Sequence, residues 1–293
     1  MTHWIALFDQ LPWLFIALSS VLGLILGSFL NVVIHRLPRM MEREWQLECA
    51  EALSQPLPAS TLPERYNLLV PGSACPHCGT AIPIWHNIPV LSFLLLKGKC
   101  HHCSAPISPR YPMVELLCGL SLGFLAWHFG PTPAFAAGAF LTLGLVALSG
   151  IDLDTMLLPD QLTLPLLWLG LLLNINGLFV PLEKAVLGAA LGYLSLWGLF
   201  HLFRLLTGKE GMGYGDFKLL ALFGAWFGYA SLLPVMLLAS FGGAVVGITL
   251  MATGRLSRDK PMPFGPWIAL GGWLYLVWGN DVVDWYLSLM VGA

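Results

Sequence analysis

Charge is what this sequence lacks. Of its 293 residues only 14 are Lys or Arg and 16 are Asp or Glu, 10% in all, against about 25% in a typical soluble domain. A chain this long cannot cover a water-facing surface with so few charges, so soluble and disordered classes are excluded. The formal net charge of −2 lacks the basic excess of a nucleic-acid binder, and no nucleic-acid partner is expected. Alternation at period two is missing as well, which argues against a membrane β-barrel. Internal repeats of about 20–50 residues are not evident, which removes that support for an inverted-repeat transporter. What is there is 57% apolar residues at a mean hydropathy of +0.76. The expected fold is an all-α polytopic membrane protein, with the lipid bilayer as its first partner.

A helix needs about 20 apolar residues to cross the hydrocarbon core. Charge-free runs occupy Gln10–His35, Leu116–Ile151, Gln161–Leu182, Ala185–Phe203, Leu219–Gly254 and Pro261–Asn280. Leu116–Ile151 and Leu219–Gly254 hold 36 residues each, nearly twice the core as single helices at about 1.5 Å per residue. Each is expected to fold back once, at Gly130-Pro131-Thr132-Pro133 and around Gly228–Pro234, where the breakers sit. Six runs, two of them double, predict about eight transmembrane helices.

With the N-terminus outside, one face collects Arg36, Arg39, Arg43, Arg65, Lys97, Lys99, Arg110, Arg204, Lys209, Lys218, Arg255, Arg258 and Lys260, and the other keeps only Lys184. By the positive-inside rule this places both termini outside and the large loop in the cytosol. Gln10–His35 is too long for a signal-peptide core and its basic residues follow it, so it reads as a retained first span.

Residues 36–110 break the apolar pattern. They hold 12 of the 30 charged residues and five of the six cysteines. Cys75-Pro-His-Cys78 and Cys100-His-His-Cys103 are separated by 21 residues, the spacing of a four-cysteine zinc site in which each short turn presents two thiolates to one tetrahedral ion. Lys97 and Lys99 favour thiolate over thiol, and a small domain poor in aliphatic residues has use for a metal staple. Two disulfides are the alternative, disfavoured by a cytosolic location. The domain division expected is a first span at 1–35, a cytosolic zinc-binding domain at 36–110 and a seven-helix body at 111–293.

Carboxylates bordering membrane helices are costly and point to function. The helices leave Glu115, Asp152, Asp154, Asp160 and Asp216. By the topology above, Asp152 and Asp216 both sit at cytosolic ends of spans, where they can meet. Two facing carboxylates share a proton near neutrality, so one can activate water while the other hydrogen-bonds a scissile carbonyl. Glycines at 211, 213 and 215 let backbone or a peptide come close to Asp216. Read blandly, Asp216 caps a helix and Asp152 is a solvated loop residue. Spacing alone does not choose among Asp152, Asp154 and Asp160. Asp160 suits a helix cap, and Lys218 suits either a carboxylate partner or the head groups.

Taken together, Gly27-Ser-Phe-Leu-Asn-Val-Val-Ile-His-Arg-Leu-Pro38, the two cysteine pairs, Ile151-Asp-Leu-Asp-Thr-Met-Leu-Leu-Pro-Asp-Gln-Leu162 and Gly211-Met-Gly-Tyr-Gly-Asp-Phe-Lys218 resemble the type IV prepilin peptidases, GxGD aspartic proteases of bacterial inner membranes. The motifs follow the family's order, and the resemblance covers essentially the whole chain. It implies removal of the basic leader of prepilins and type II secretion pseudopilins on the cytosolic side, after a glycine. It also implies N-methylation of the new terminus using S-adenosylmethionine. By motif match the catalytic pair is Asp152 and Asp216, the zinc ligands are Cys75, Cys78, Cys100 and Cys103, and Gly98 matches a glycine associated with methylation. Gly98 also reads as a plain turn glycine, and no strand–GxGxxG–helix fingerprint supports a Rossmann-type cofactor site. The rivals are a proton-coupled transporter using the same two aspartates and an assembly scaffold. Nothing in the sequence fixes an oligomeric state.

Overall fold

The computed structural model describes residues 8, 10–54, 63, 65–209, 211–254 and 262–291, without the side chains of 280, 282–287 and 289–291. Glu64, Arg255, Arg258 and Lys260, which entered the charge argument, lie outside the described residues. The described chain is helical: α1 (Pro12–Ala52), α2 (Leu91–Leu95), α3 (Arg110–Phe129), α4 (Pro133–Thr155), α5 (Asp160–Leu173), α6 (Leu182–Thr207), α7 (Tyr214–Phe227), α8 (Leu232–Ala252) and α9 (Gly265–Val291). Among the described residues the only β structure is two isolated bridges. Among the described residues each apolar run carries helix. Among the described residues five segments, α1, α3, α4, α6 and Tyr229–Ala252, are long and apolar enough to cross a membrane. With 14 residues each, α5 and α7 reach only about 21 Å against a core of about 30 Å.

The chain divides into two compact units, Met1–Pro131 and Thr132–Ala293. In the first, α1 continues 17 residues beyond His35, to Ala52. The reason is local: Arg36–Ala52 is glycine-free and rich in Met, Glu, Arg, Gln and Leu, which are good helix formers. At 41 residues, or about 62 Å, its polar end extends far past an apolar slab. Helices α1 and α3 pack through small residues; a Cβ on Gly23 would stand 2.5 Å from the Cys118 carbonyl oxygen.

The second unit is centred on α7, of whose 14 residues 11 are buried. Gly224 of α7 meets the Gly188 backbone of α6 so closely that neither position has room for a side chain. Trp226 Nε1 donates to the Leu166 carbonyl of α5 at 2.8 Å. Asn174 donates to the Ala225 and Trp226 carbonyls and accepts from the Phe179 and Val180 amides, pinning the α5–α6 turn to the end of α7. On α8 the buried positions are Val235, Ala239, Gly243 and Gly247. Gly243 faces Trp267 and Gly247 faces Met262, so this small-residue ladder packs within the chain.

Candidate active site and metal centre

Three helix ends converge on the carboxylates of the second unit. Asp152 lies in the last turn of α4, which stops where Met156 takes a left-handed φ of 57° and its amide bonds the Asp152 carbonyl at 2.9 Å. Asp216 lies in the first turn of α7, with the Gly213 amide directed at its carboxylate. Gly265 opens α9, and its N–H donates to Asp152 Oδ2 at 3.0 Å. Both aspartates are buried, at 5% and 8% exposure, and Asp152 is near enough to act electrostatically on Asp216. Helix N-termini offer unpaired amides and a positive dipole end, so α7 and α9 are suited to holding negative charge here.

Glycine is required by this packing. A Cβ on Gly265 would stand 2.6 Å from Asp152 Oδ2 and 3.1 Å from Leu158 Cδ2, and one on Gly215 would stand 2.8 Å from Leu158 Cβ. Leu158 is therefore wedged between Gly215 and Gly265. Sequence reasoning missed Gly265. Its signal was Pro263-Phe-Gly-Pro266, a cluster of breakers directly ahead of an apolar run.

The remaining acids separate from the pair. Asp154 is exposed, on a different face of α4 from Asp152. Asp160 is the first residue of α5, with Pro159 in the cap position, and receives Lys218 Nζ at 2.6 and 2.8 Å. That pair is 51% and 28% exposed, so it contributes at most about 1 kcal/mol, yet it joins the start of α5 to α7 beside Asp216. Glu115 belongs to the first unit, where it accepts the Val90 amide at 2.7 Å. Asn31 donates to the Gly27 and Tyr111 carbonyls, an inter-helix tie within that unit.

The two cysteine pairs come together in the first unit. Cys75, Cys78, Cys100 and Cys103 place their sulfurs within 4.8 Å of one another, close enough to hold a metal ion. Cys75 Sγ and Cys103 Sγ are 3.8 Å apart, the edge of a tetrahedron with metal–sulfur bonds of about 2.3 Å and far beyond the disulfide bond length of about 2.05 Å. All four are free thiols. Each pair sits in the same turn: Cys75 N–H bonds the Thr80 carbonyl and Cys100 N–H bonds that of Ala105, while Gly79 and Ser104 return to the Cys75 and Cys100 carbonyls. The bridges Ala74–Ala81 and Lys99–Pro106 close them. The two turns are one motif repeated at an offset of 25 residues, which corrects the expectation that no repeat of about 20–50 residues is present.

The thiols are tuned for a cation. Hydrogen bonds from the Thr80 side chain and amide lower Cys78 to about 6. The Cys103 and His102 amides lower Cys100. At Cys103 the Ala105 amide favours the thiolate, but desolvation and the neighbouring sulfurs prevail and push it up to about 11. Like charges this crowded cannot all ionise until a cation joins them. The donor set therefore fits a thiophilic divalent metal.

The sequence profile of the bacterial peptidase A24 N-terminal domain matches residues 21–129, and that of the type IV leader peptidase family matches residues 139–248. A protein of Aeromonas salmonicida named prepilin leader peptidase/N-methyltransferase is 54% identical over 291 residues, covering 99% of this chain and 100% of its own. Proteins of the same name from Stutzerimonas stutzeri and Pseudomonas aeruginosa are 53% and 52% identical, each covering 94% of this chain and 95% of its own. No solved structure matches the chain. With both profiles matched in order and relatives of this identity spanning nearly its full length, the chain belongs to the type IV leader peptidase family.

Proposed function

We propose that this membrane protein is a bifunctional enzyme that cleaves the basic leader from type IV prepilins and pseudopilins after a glycine, then N-methylates the new terminus. The names of its full-length relatives support both activities. The observation that carries the peptidase half is the burial of Asp152 and Asp216 in one site formed by three helix ends.

In this reading the two carboxylates share one proton. The ionised member takes a proton from water as the water oxygen attacks the scissile carbonyl, and the protonated member hydrogen-bonds the carbonyl oxygen. When the tetrahedral intermediate collapses, the C–N bond breaks and the leaving amine receives a proton from the pair. The Gly265 amide fixes the Asp152 carboxylate, while Phe203 and Leu158 close over Gly211 and Gly215, so these two glycines serve packing and not peptide access. A transporter gains nothing from this geometry, since its acids belong at the bilayer midplane.

Cys75, Cys78, Cys100 and Cys103 hold structural zinc in this reading. S-adenosylmethionine, when bound, supplies the methyl group. Gly98 serves a turn: its φ is 68° and a Cβ there would meet Phe93 Cζ at 3.1 Å, so its bearing on methylation runs through the shape of that turn. We place the protein in the inner membrane with the cysteine-bearing loop and the aspartates facing the cytosol and both termini periplasmic. The division of the chain is a first span at 1–35, a zinc-binding domain at 36–110 and a seven-helix body at 111–293, eight spans in all.

The test is co-expression with a prepilin, following leader loss and gain of one methyl group by mass. Asp152→Asn and Asp216→Asn each abolish cleavage while the protein stays in the membrane. Cleavage retained in either variant overturns the assignment.

A further inference from the structure

Between the two cysteine pairs runs Ile84-Trp-His-Asn-Ile-Pro-Val-Leu-Ser-Phe-Leu-Leu-Leu96, which neither the metal centre nor the carboxylate site uses. It turns its apolar side chains outward. Ile84 is 85% exposed, Leu95 72%, Trp85 68% and Leu94 65%, with Ile88 and Leu91 also exposed. Single exposed apolar residues need no explanation, but six within twelve positions form a patch that marks an interaction surface.

Three further observations identify what covers it. The first is depth. The Val90 amide is bonded by Glu115 at 2.7 Å. Glu115 is the sixth residue of α3, about 8 Å along an axis that starts at Arg110, and α3 is long and apolar enough to cross a membrane. The patch is thus held beside the membrane-entering turns of α3. The second is the backbone. Every N–H from His86 to Ser92 has an acceptor within the protein: Pro83, Ile84, Pro89 and Ile88 carbonyls serve His86, Asn87, Leu91 and Ser92, Ser92 Oγ serves Ile88, and Glu115 serves Val90. To complete this network Val90 adopts φ 61° and ψ −48°, a strained γ-turn for a β-branched residue. That internal pairing of its amides lets the apolar side of the segment lie against acyl chains, which supply no hydrogen-bond partners. The third is charge. No Asp or Glu occurs between Tyr66 and Val114, whereas Lys97 and Lys99 follow the patch directly and are exposed.

We propose that Ile84–Leu96 is an interfacial anchor, lying in the head-group region of the bilayer beside α3 with Lys97 and Lys99 on anionic lipid. Trp85 supplies the amphipathic ring favoured at that depth, and the lysines supply the electrostatic half of the attachment. The anchor holds the four-cysteine centre at the membrane surface. It goes beyond the proposed peptidase and methyltransferase activities and stands or falls separately from them.

The experiment uses the full chain with Leu94 or Leu95 replaced by benzoylphenylalanine, reconstituted in phosphatidylethanolamine vesicles containing phosphatidylglycerol. A control carries the same group at Glu48, on the polar end of α1. Irradiation and mass analysis are expected to give lipid adducts at 94 and 95 and none at 48, with phosphatidylglycerol enriched over its bulk fraction. In the Lys97→Gln/Lys99→Gln protein that enrichment falls to the bulk value while the lipid adducts remain. No lipid adduct at either position, or adducts only to a co-reconstituted prepilin or to a second copy of the chain, overturns the anchor. Phosphatidylglycerol at its bulk fraction in the unaltered protein overturns the role of the lysines. Prepilin cleavage measured on the same vesicles distinguishes failure of the anchor from failure of the proposed function.

Discussion

The cysteine centre takes its four thiols from two copies of one short turn, whereas the carboxylate site takes its groups from three helix ends, with Asp152 and the Gly265 amide that bonds it 113 positions apart. In the first, each turn makes its own ladder and presents its own pair of sulfurs; tertiary structure has only to bring two finished halves together. In the second, no segment is complete alone. Asp152 ends a helix, Asp216 begins one, and the close fit of Leu158 between Gly215 and Gly265 sets how near they come. A centre made of local turns needs a metal to hold its halves together, while a centre made of helix ends is held by the packing of the whole unit.

If that contrast is sound, the largest effect belongs to the carboxylates. On the proposed mechanism Asp152→Asn and Asp216→Asn are each expected to remove the shared proton, with cleavage falling about 10³-fold or more. Because the pair acts as one device, the double variant is no slower than either single one. A twofold loss in one variant and complete loss in the other would break the symmetry of the pair.

Next in size is metal removal. Cys75→Ser, or a strong chelator, is expected to release one equivalent of metal and unfold both turns, since apparent zinc affinities in such sites are worth about 10 kcal/mol or more. The helix-packed unit keeps its shape, so prepilin cleavage in vesicles falls by no more than about tenfold, or about 1.4 kcal/mol. Loss of cleavage on the scale of Asp216→Asn would show that the two centres are not independent.

A finer probe compares two glycines of the carboxylate site. Gly265→Ala places a Cβ 2.6 Å from Asp152 Oδ2, forcing the carboxylate to move, and displacement of that order costs about 10²-fold in rate. Gly213→Ala meets nothing nearer than Asp216 Oδ2 at 3.9 Å at a φ of −84°, and is expected to stay within about twofold of the unaltered rate. The readout is kcat at saturating prepilin, with metal content as the control.

The same division between local and distant construction explains what the sequence disclosed. The cysteine turns were readable because ligand spacing is a local property. The helices were readable because apolar runs are local too, though the true end of α1 at Ala52 was not, since hydropathy marks where a lipid-facing run stops and not where a helix does. Within the carboxylate site, Asp152 and Asp216 stood out as rare acids beside apolar runs, and the motif match chose Asp152 over its neighbours. Gly265 and Leu158 carried no such mark, because their importance lies in distances of 2.6–3.1 Å that only the folded chain creates. Val90 is a further case: its left-handed backbone goes with a bond from its amide to Glu115, 25 residues away.

The smallest effect tests whether the two cysteine turns are one motif. Gly79 and Ser104 occupy equivalent positions, with φ of 70° and 56°, and a Cβ at Gly79 meets nothing within 4 Å. Space is therefore not the issue there; only the left-handed backbone is, and it costs a non-glycine residue about 1–2 kcal/mol. Gly79→Ala is expected to lower the metal-loaded unit's stability by that amount and leave metal stoichiometry unchanged. Ser104→Gly relieves the same strain but frees the unfolded chain as well, so its gain stays under about 1 kcal/mol. Chelator competition on the full chain reads both. Opposite signs of this size mean that the second turn tolerates a residue the first avoids, and that glycine in the first is a matter of backbone angle. A loss at Gly79→Ala as large as at Cys75→Ser would mean that the first turn has a role its copy does not share.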